Sequence, residues 1–209
     1  MKKQLLFWIL AFALLACKGE GAKKGQDSPE SEKKAEFQAG PSHTTEDYRE
    51  TGLQYAMAVQ ATLGKTLQQK IKGEGTLGAI EFCNLNALAI TDSLSRELGA
   101  TISRITDRPR NPQNRATDEE VKLMTRYRED LADGHTPEGL VALRDSTIHF
   151  YYPIVTNSLC LQCHGTPQSE IAPEVYSEIQ ERYPQDRAIA YSAGELRGLW
   201  KVAFPQEQP

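Results

Sequence analysis

Residues 160–164 read Cys160-Leu161-Gln162-Cys163-His164, a C-x-x-C-H pattern. No other feature constrains the chain as much. Two thiols on one short turn can each add to a vinyl group of a single porphyrin, and the adjacent His164 is then placed to send a ring nitrogen to the iron. A chain using the pattern this way must fold around one covalently held haem c, with Cys160 and Cys163 as attachment residues and His164 as a metal ligand. Other chemistries share parts of the pattern. A redox dithiol prefers C-x-x-C at the start of a helix in a thioredoxin-like βαβ setting, and no such setting surrounds it. A zinc site needs a second C-x-x-C or a pair of histidines, and neither is present. A small disulfide loop remains open but leaves His164 without a role.

The four cysteines, at 17, 83, 160 and 163, look like an even set for two disulfides. Their surroundings argue otherwise. Residues 1–16 (MKKQLLFWILAFALLA) place two lysines ahead of an apolar run from Leu5 to Ala16. That run is too short to span a bilayer, which takes about 20 residues, and it reads as an export signal peptide. Leu14-Leu15-Ala16-Cys17 resembles the junction at which a bacterial lipoprotein is cleaved and lipidated, so Cys17 is the expected lipidation residue. The protein would then face an oxidising space outside the cytoplasm, the periplasm, held to a membrane by lipid.

Residues 17–43 are rich in Lys, Glu, Gly and Ser, with Phe37 their only aromatic residue, and read as a flexible tether with a reach of about 25–30 Å. The folded domain is expected over 44–204, with a short tail at 205–209. Within it, Thr44-Thr45-Glu46-Asp47 starts a helix whose apolar face is Leu53, Ala56, Leu63, Leu67 and Ile71, ended by Gly73 and Gly75. Thr117-Asp118-Glu119-Glu120 is a capping box for a second helix carrying Val121, Met124, Tyr127 and Leu131 and closing at Gly134. Leu140 to Leu143 and Ile148 to Val155 read as paired strands about Arg144-Asp145-Ser146, and Leu196 to Phe204 as a closing strand. Helices with an antiparallel sheet make the fold class α+β. The net charge of −4, with no basic stripe, argues against nucleic acid as a partner.

A six-coordinate iron needs a second axial ligand. On the residues alone the candidates are Cys83, His43, His135, His149, Met57 and Met124. His43 lies at the tether edge and His135 in a Gly-His-Thr-Pro loop. Met57 and Met124 fall on helices, where methionine usually packs in the core. His149 sits in a strand, facing either way. Cys83 is the one thiol left without a task, either buried and inert, reactive, or a ligand.

Several segments stand in a characteristic order: Ala79-Ile80-Glu81-Phe82-Cys83-Asn84, then Arg108-Pro109-Arg110-Asn111-Pro112-Gln113-Asn114, then the C-x-x-C-H. Tyr183-Pro184-Gln185-Asp186-Arg187-Ala188 and Gly194-Glu195-Leu196-Arg197-Gly198 follow. Over residues 46 to 204 the chain resembles a bacterial haem-c domain family, domain of unknown function 3365, found alone and as the sensor end of histidine kinases. The resemblance implies a PAS-like α+β fold, an antiparallel sheet with flanking helices, holding one haem c. It also implies that His164 and Cys83 are the axial ligands. The run after Cys83, Asn86-Ala87-Leu88, departs from the Ala-Pro frequent in that family. Haem carboxylates need cations, and Arg108 and Arg110 are the candidates. The expectation is a lipid-anchored, exported mono-haem c-type cytochrome, a one-electron carrier or redox sensor with a protein redox partner. The alternative is a haem module that senses NO, CO or another small ligand. An enzymatic role is not expected, since nothing points to a distal acid–base pair.

Overall fold

The structure, a computed structural model, describes residues 43–205. The expected signal peptide (1–16), Cys17, the tether apart from His43 and the tail apart from Pro205 lie outside the described residues. The chain runs α1 (Thr45–Leu98), β1 (Thr101–Ile105), a 3-10 turn (Pro112–Asn114), α2 (Asp118–Ala132), β2 (Leu140–Arg144), β3 (Thr147–Val155), α3 (Ser158–His164), α4 (Pro173–Arg182) and β4 (Leu196–Phe204). The four strands form one antiparallel sheet in the order β1-β4-β3-β2. The fold is α+β.

Local signals explain the elements. Thr44 caps α1 through its side chain, and Asp47 returns a bond to the Thr44 N–H at 2.7 Å. Thr117 and Glu120 cap α2 in the same reciprocal way, and Met124 and Tyr127 carry its buried face. Asp145 and Ser146 both take positive φ, 47° and 62°, and join β2 to β3 in the two-residue turn whose twist suits a hairpin.

Sequence reading is corrected at the first helix. Gly73 continues the helix, and Gly75 breaks it at φ 71°, ψ −178°, a conformation glycine adopts freely. The chain then resumes as helix to Leu98. Tyr48, Tyr55 and Leu63 before the break, and Leu94 and Leu98 after it, pack on one cluster of Ile102, Phe150, Trp200, Val202 and Phe204. A straight helix would hold Tyr48 and Leu98 about 75 Å apart. α1 is therefore a hairpin of two helical arms doubled back at Gly75, with both free ends on one face of the sheet. Leu53, expected inside, is 38% exposed; Ala56 is buried as expected, and Gly52 and Val59 join it in the seam. The opposite face packs Ile105, Tyr151 and Leu199 against α2.

Candidate functional site

α3 follows directly from the end of β3. Asn157 caps it, its side chain accepting from Leu159 N at 3.0 Å and Cys160 N at 3.3 Å, so the C-x-x-C is held on one short helix. The other end is tied as firmly. Arg110 Nη2 donates to Cys163 O at 2.5 Å, and Tyr191 N donates to His164 O at 2.9 Å. The imidazole is fixed too: His164 Nδ1 lies 2.7 Å from Ala188 O. A carbonyl only accepts, so Nδ1 carries the proton and Nε2 keeps its lone pair. Burial first, then Arg110 and Arg197, holds the His164 pKa well below the usual value. The ring is neutral at pH 7.

Cys83 arrives from the second arm of α1. Ile80, one turn earlier, packs with Ile171, Val175 and Ile179, and Cys163, Tyr176, Tyr183 and Ile189 cover this small core. Thr76 Oγ1 donates to Gln162 Oε1 at 3.2 Å, tying the same arm to α3. Cys83 and Cys163 are within electrostatic reach of each other. Burial pushes both thiols up, Cys163 to about 11, against the pull of nearby arginines. The thiols of Cys83, Cys160 and Cys163 are free.

The segments singled out in the sequence thus converge where β1 and β3 end and β4 begins. Arg110 Nη2 bonds to Asp186 Oδ2 at 3.1 Å and Ala188 O at 3.2 Å. Asp186 Oδ1 in turn accepts from Ala188 N at 2.8 Å, fixing the residue that holds His164. Arg108 donates to Arg187 O and Ile189 O, and its guanidinium lies 4.0 Å from the Tyr191 ring centroid. Arg108 and Arg110 therefore line the site but are already engaged with protein groups.

Two further arginines went unassigned in the sequence. Arg104 lies within electrostatic reach of Cys83, and Arg197 lies 5.3 Å from the Tyr191 ring, whose edge meets His164 at 6.4 Å between centroids. An arginine in a short strand reads as solvent-facing; only the strand pairing turns these inward. Asp186 was inside a quoted motif, but its part in orienting His164 was not legible.

Other ligand candidates lie elsewhere. Met124 is fully buried on the inner face of α2, and His149 shares that face of the sheet, stacked 6.0 Å from Tyr151. His135 is exposed. His43 lies beside Tyr48, 5.7 Å between ring centroids, and Met57 is half-buried on the first arm of α1. Among the described residues, no three His, Cys, Asp or Glu side chains cluster to hold a metal ion by themselves.

A family model described as Tll0287-like matches residues 32–205. Among solved structures, the crystal structure of the cyanobacterial heme-protein Tll0287 is similar in fold: 22% identity, TM-score 0.52, covering 73% of this chain and 96% of that one. No curated protein matches the chain. With the family model extending over most of the sequence, including every residue of this site, the chain belongs to the Tll0287-like family.

Proposed function

We propose that the chain is a mono-haem c-type cytochrome that moves or senses single electrons, with Cys160 and Cys163 as thioether residues and His164 and Cys83 as axial ligands. The His164–Ala188 hydrogen bond carries this reading. It fixes the tautomer and leaves Nε2 free, while burial and the nearby Arg110 and Arg197 keep the ring neutral, which a ligating imidazole requires. The donor set fits the group. Haem brings four equatorial nitrogens, so two protein ligands complete the iron, and two thiols at C-x-x-C spacing suit its vinyl positions. The similar solved structure being a heme-protein supports the same reading.

Bound there, haem supplies one-electron iron chemistry. The protein's own contributions are separable. α3 presents the two thiols and the imidazole together, the Ala188 carbonyl orients the imidazole, and the second arm of α1 brings the Cys83 sulfur. A thiolate from Cys83 favours the ferric state and lowers the reduction potential. We further place the protein outside the cytoplasm, held to a membrane by lipid on Cys17 and meeting its redox partner through the tether. No substrate turnover is assigned.

The test is direct. Denatured protein keeps its haem and gives the pyridine spectrum of haem c, and haem released by acid–acetone refutes covalent attachment. Cys83→Ala abolishes the low-spin six-coordinate ferric spectrum; an unchanged spectrum removes Cys83 from the ligand set. Rapid CO binding by the ferrous wild type at low concentration favours the ligand-sensing alternative over a carrier.

A further inference from the structure

We infer that Arg104, Arg197 and Tyr191 form the seat for the two carboxylates of the haem, in place of Arg108 and Arg110; the inference rests on the function proposed above. The first argument is charge. Arg110 pairs with Asp186, the two side chains 11% and 8% exposed, so that cation is neutralised inside the protein. Arg108 spends its donors on two carbonyls and one face on Tyr191. Arg104 and Arg197 have no carboxylate partner among the described residues, and Asp186, the acid within reach of Arg197, is already bonded to Arg110. Arg108 also lacks an ion pair but is held by two carbonyls; the remaining arginines without one, Arg96, Arg115, Arg126 and Arg187, are exposed, where water serves them. Arg104 and Arg197 are not exposed. A haem c carries two carboxylates, and Arg104 and Arg197 stand beside its expected ligands as cations without a carboxylate partner among the described residues.

The second argument is the unmet donors. Arg110 Nε, Arg197 Nε and Tyr191 Oη are buried with no hydrogen-bond partner, Tyr191 as a whole being 2% exposed; the Arg110 charge is already met by Asp186, which leaves Arg197 and Tyr191 to receive an anion. Buried polar atoms in native proteins are almost always paired, so a buried donor without a partner points to a group that supplies one. Arg197 Nη1, by contrast, is held by Thr106 Oγ1 at 3.2 Å and Arg108 O at 3.3 Å, which fixes the guanidinium while leaving Nε free.

The third argument is the backbone. Ile154 pairs with Gly198 and the next residue, Val155, with Leu196, so Arg197 is the extra residue of a β-bulge. A bulge re-aims a side chain that regular alternation would send to one face, and here it turns Arg197 toward Tyr191 and His164. Arg104 reaches the same place from β1, its guanidinium 5.8 Å from the Trp200 ring centroid and within electrostatic reach of both His164 and Cys83. A fork of fixed N–H donors matches a carboxylate better than an ammonium does, which suits arginine at both positions.

The experiment uses full-length haem-loaded protein. Arg104→Gln, Arg197→Gln and Tyr191→Phe are compared with Arg108→Gln by resonance Raman in the haem-carboxylate bending region and by potentiometric titration. Arg104→Gln and Arg197→Gln shift the bending band and lower the midpoint potential, since removing a nearby cation favours the ferric state. Tyr191→Phe shifts the band, and Arg108→Gln, which removes a cation but no carboxylate donor, lowers the potential while leaving the band at its wild-type position. Unchanged bands in the first two variants, or an equal band shift in Arg108→Gln, overturn the inference. Where a Gln variant fails to fold, Arg→Lys at the same position keeps the charge and loses the fork: the band shifts while the potential holds, and an unchanged band again overturns the inference. Wild-type protein without covalent haem refutes the proposed function itself, a failure seen in the pyridine spectrum before any variant is read.

Discussion

The seat of α1 on the sheet depends on a close approach that a single methyl group would obstruct. Gly52 lies against the Phe150 ring; a Cβ built there meets Phe150 Cδ1 at 2.5 Å and its Cβ at 2.6 Å, and lies closer still to Cγ. Ordinary carbon contacts are about 3.5–4.0 Å, so the overlap is about 1 Å over three atoms. Nor can the ring retreat, because a Cβ at Gly139 would meet its far edge, Cε2 and Cζ: the ring is wedged between two glycine backbones. Gly52→Ala therefore incurs an overpacking cost at the upper end of about 1–3 kcal/mol. Alanine regains about 1 kcal/mol of helix propensity, so the net loss is about 2 kcal/mol. For a domain of this size that lowers the melting temperature by about 4–8 °C, read by far-UV circular dichroism. Gly64→Ala on the same arm, with open space around its Cβ, is the control and is stabilised by up to about 1 kcal/mol. A Gly52→Ala protein that melts at or above the wild-type temperature refutes the wedge. So does a Gly52→Ala loss that persists at full size in a Phe150→Leu background, where the ring is gone.

Asp186→Ala removes the partner of a buried cation and the acceptor of Ala188 N, costing about 3–5 kcal/mol in urea denaturation. It also changes the ferric EPR signal through the freed His164 ring. Burial alone would raise the Glu120 carboxyl, but the Lys201 ammonium at 2.7 Å and the Thr117 N–H hold it below its usual range. Its folded pKa lies below the unfolded value, so its contribution is complete above about pH 5 and fades as pH falls through the folded value. The urea midpoint accordingly drops between about pH 5 and pH 3, and Lys201→Met, which removes the partner, makes that drop shallower than in the wild type.

Elements with local chemical signatures were legible in the sequence. The two capping boxes, the Asp145-Ser146 hairpin and the apolar run of β4 each write their structure into a few adjacent residues, and the C-x-x-C-H does the same for half of the site. The second arm of α1 carries no such signature. Its buried seam is Ala79, Ile80, Ala87 and Thr91, mostly small, while Leu77, Leu85 and Leu88 point outward at 43%, 64% and 36% exposure. With small residues on its buried face and only Ile80 reaching the core of Ile171, Val175 and Ile179, the large apolar side chains that usually mark a buried face fall on the wrong side. β1 failed to register for a related reason: five residues, with Arg104 half-buried rather than facing solvent, break the alternation that identifies a strand. The arginines show the same limit most sharply. Arg108 and Arg110 stand out because they cluster in one loop, where Arg110 pairs with Asp186 and Arg108 donates to the Arg187 and Ile189 carbonyls. Arg104 and Arg197 stand 93 positions apart, and only strand pairing and a one-residue bulge bring both within electrostatic reach of His164. What sequence proximity reports is shared backbone, and what binds an anion is unmet charge. The second is a property of the folded neighbourhood, readable only after every acid and carbonyl near each cation has been accounted for.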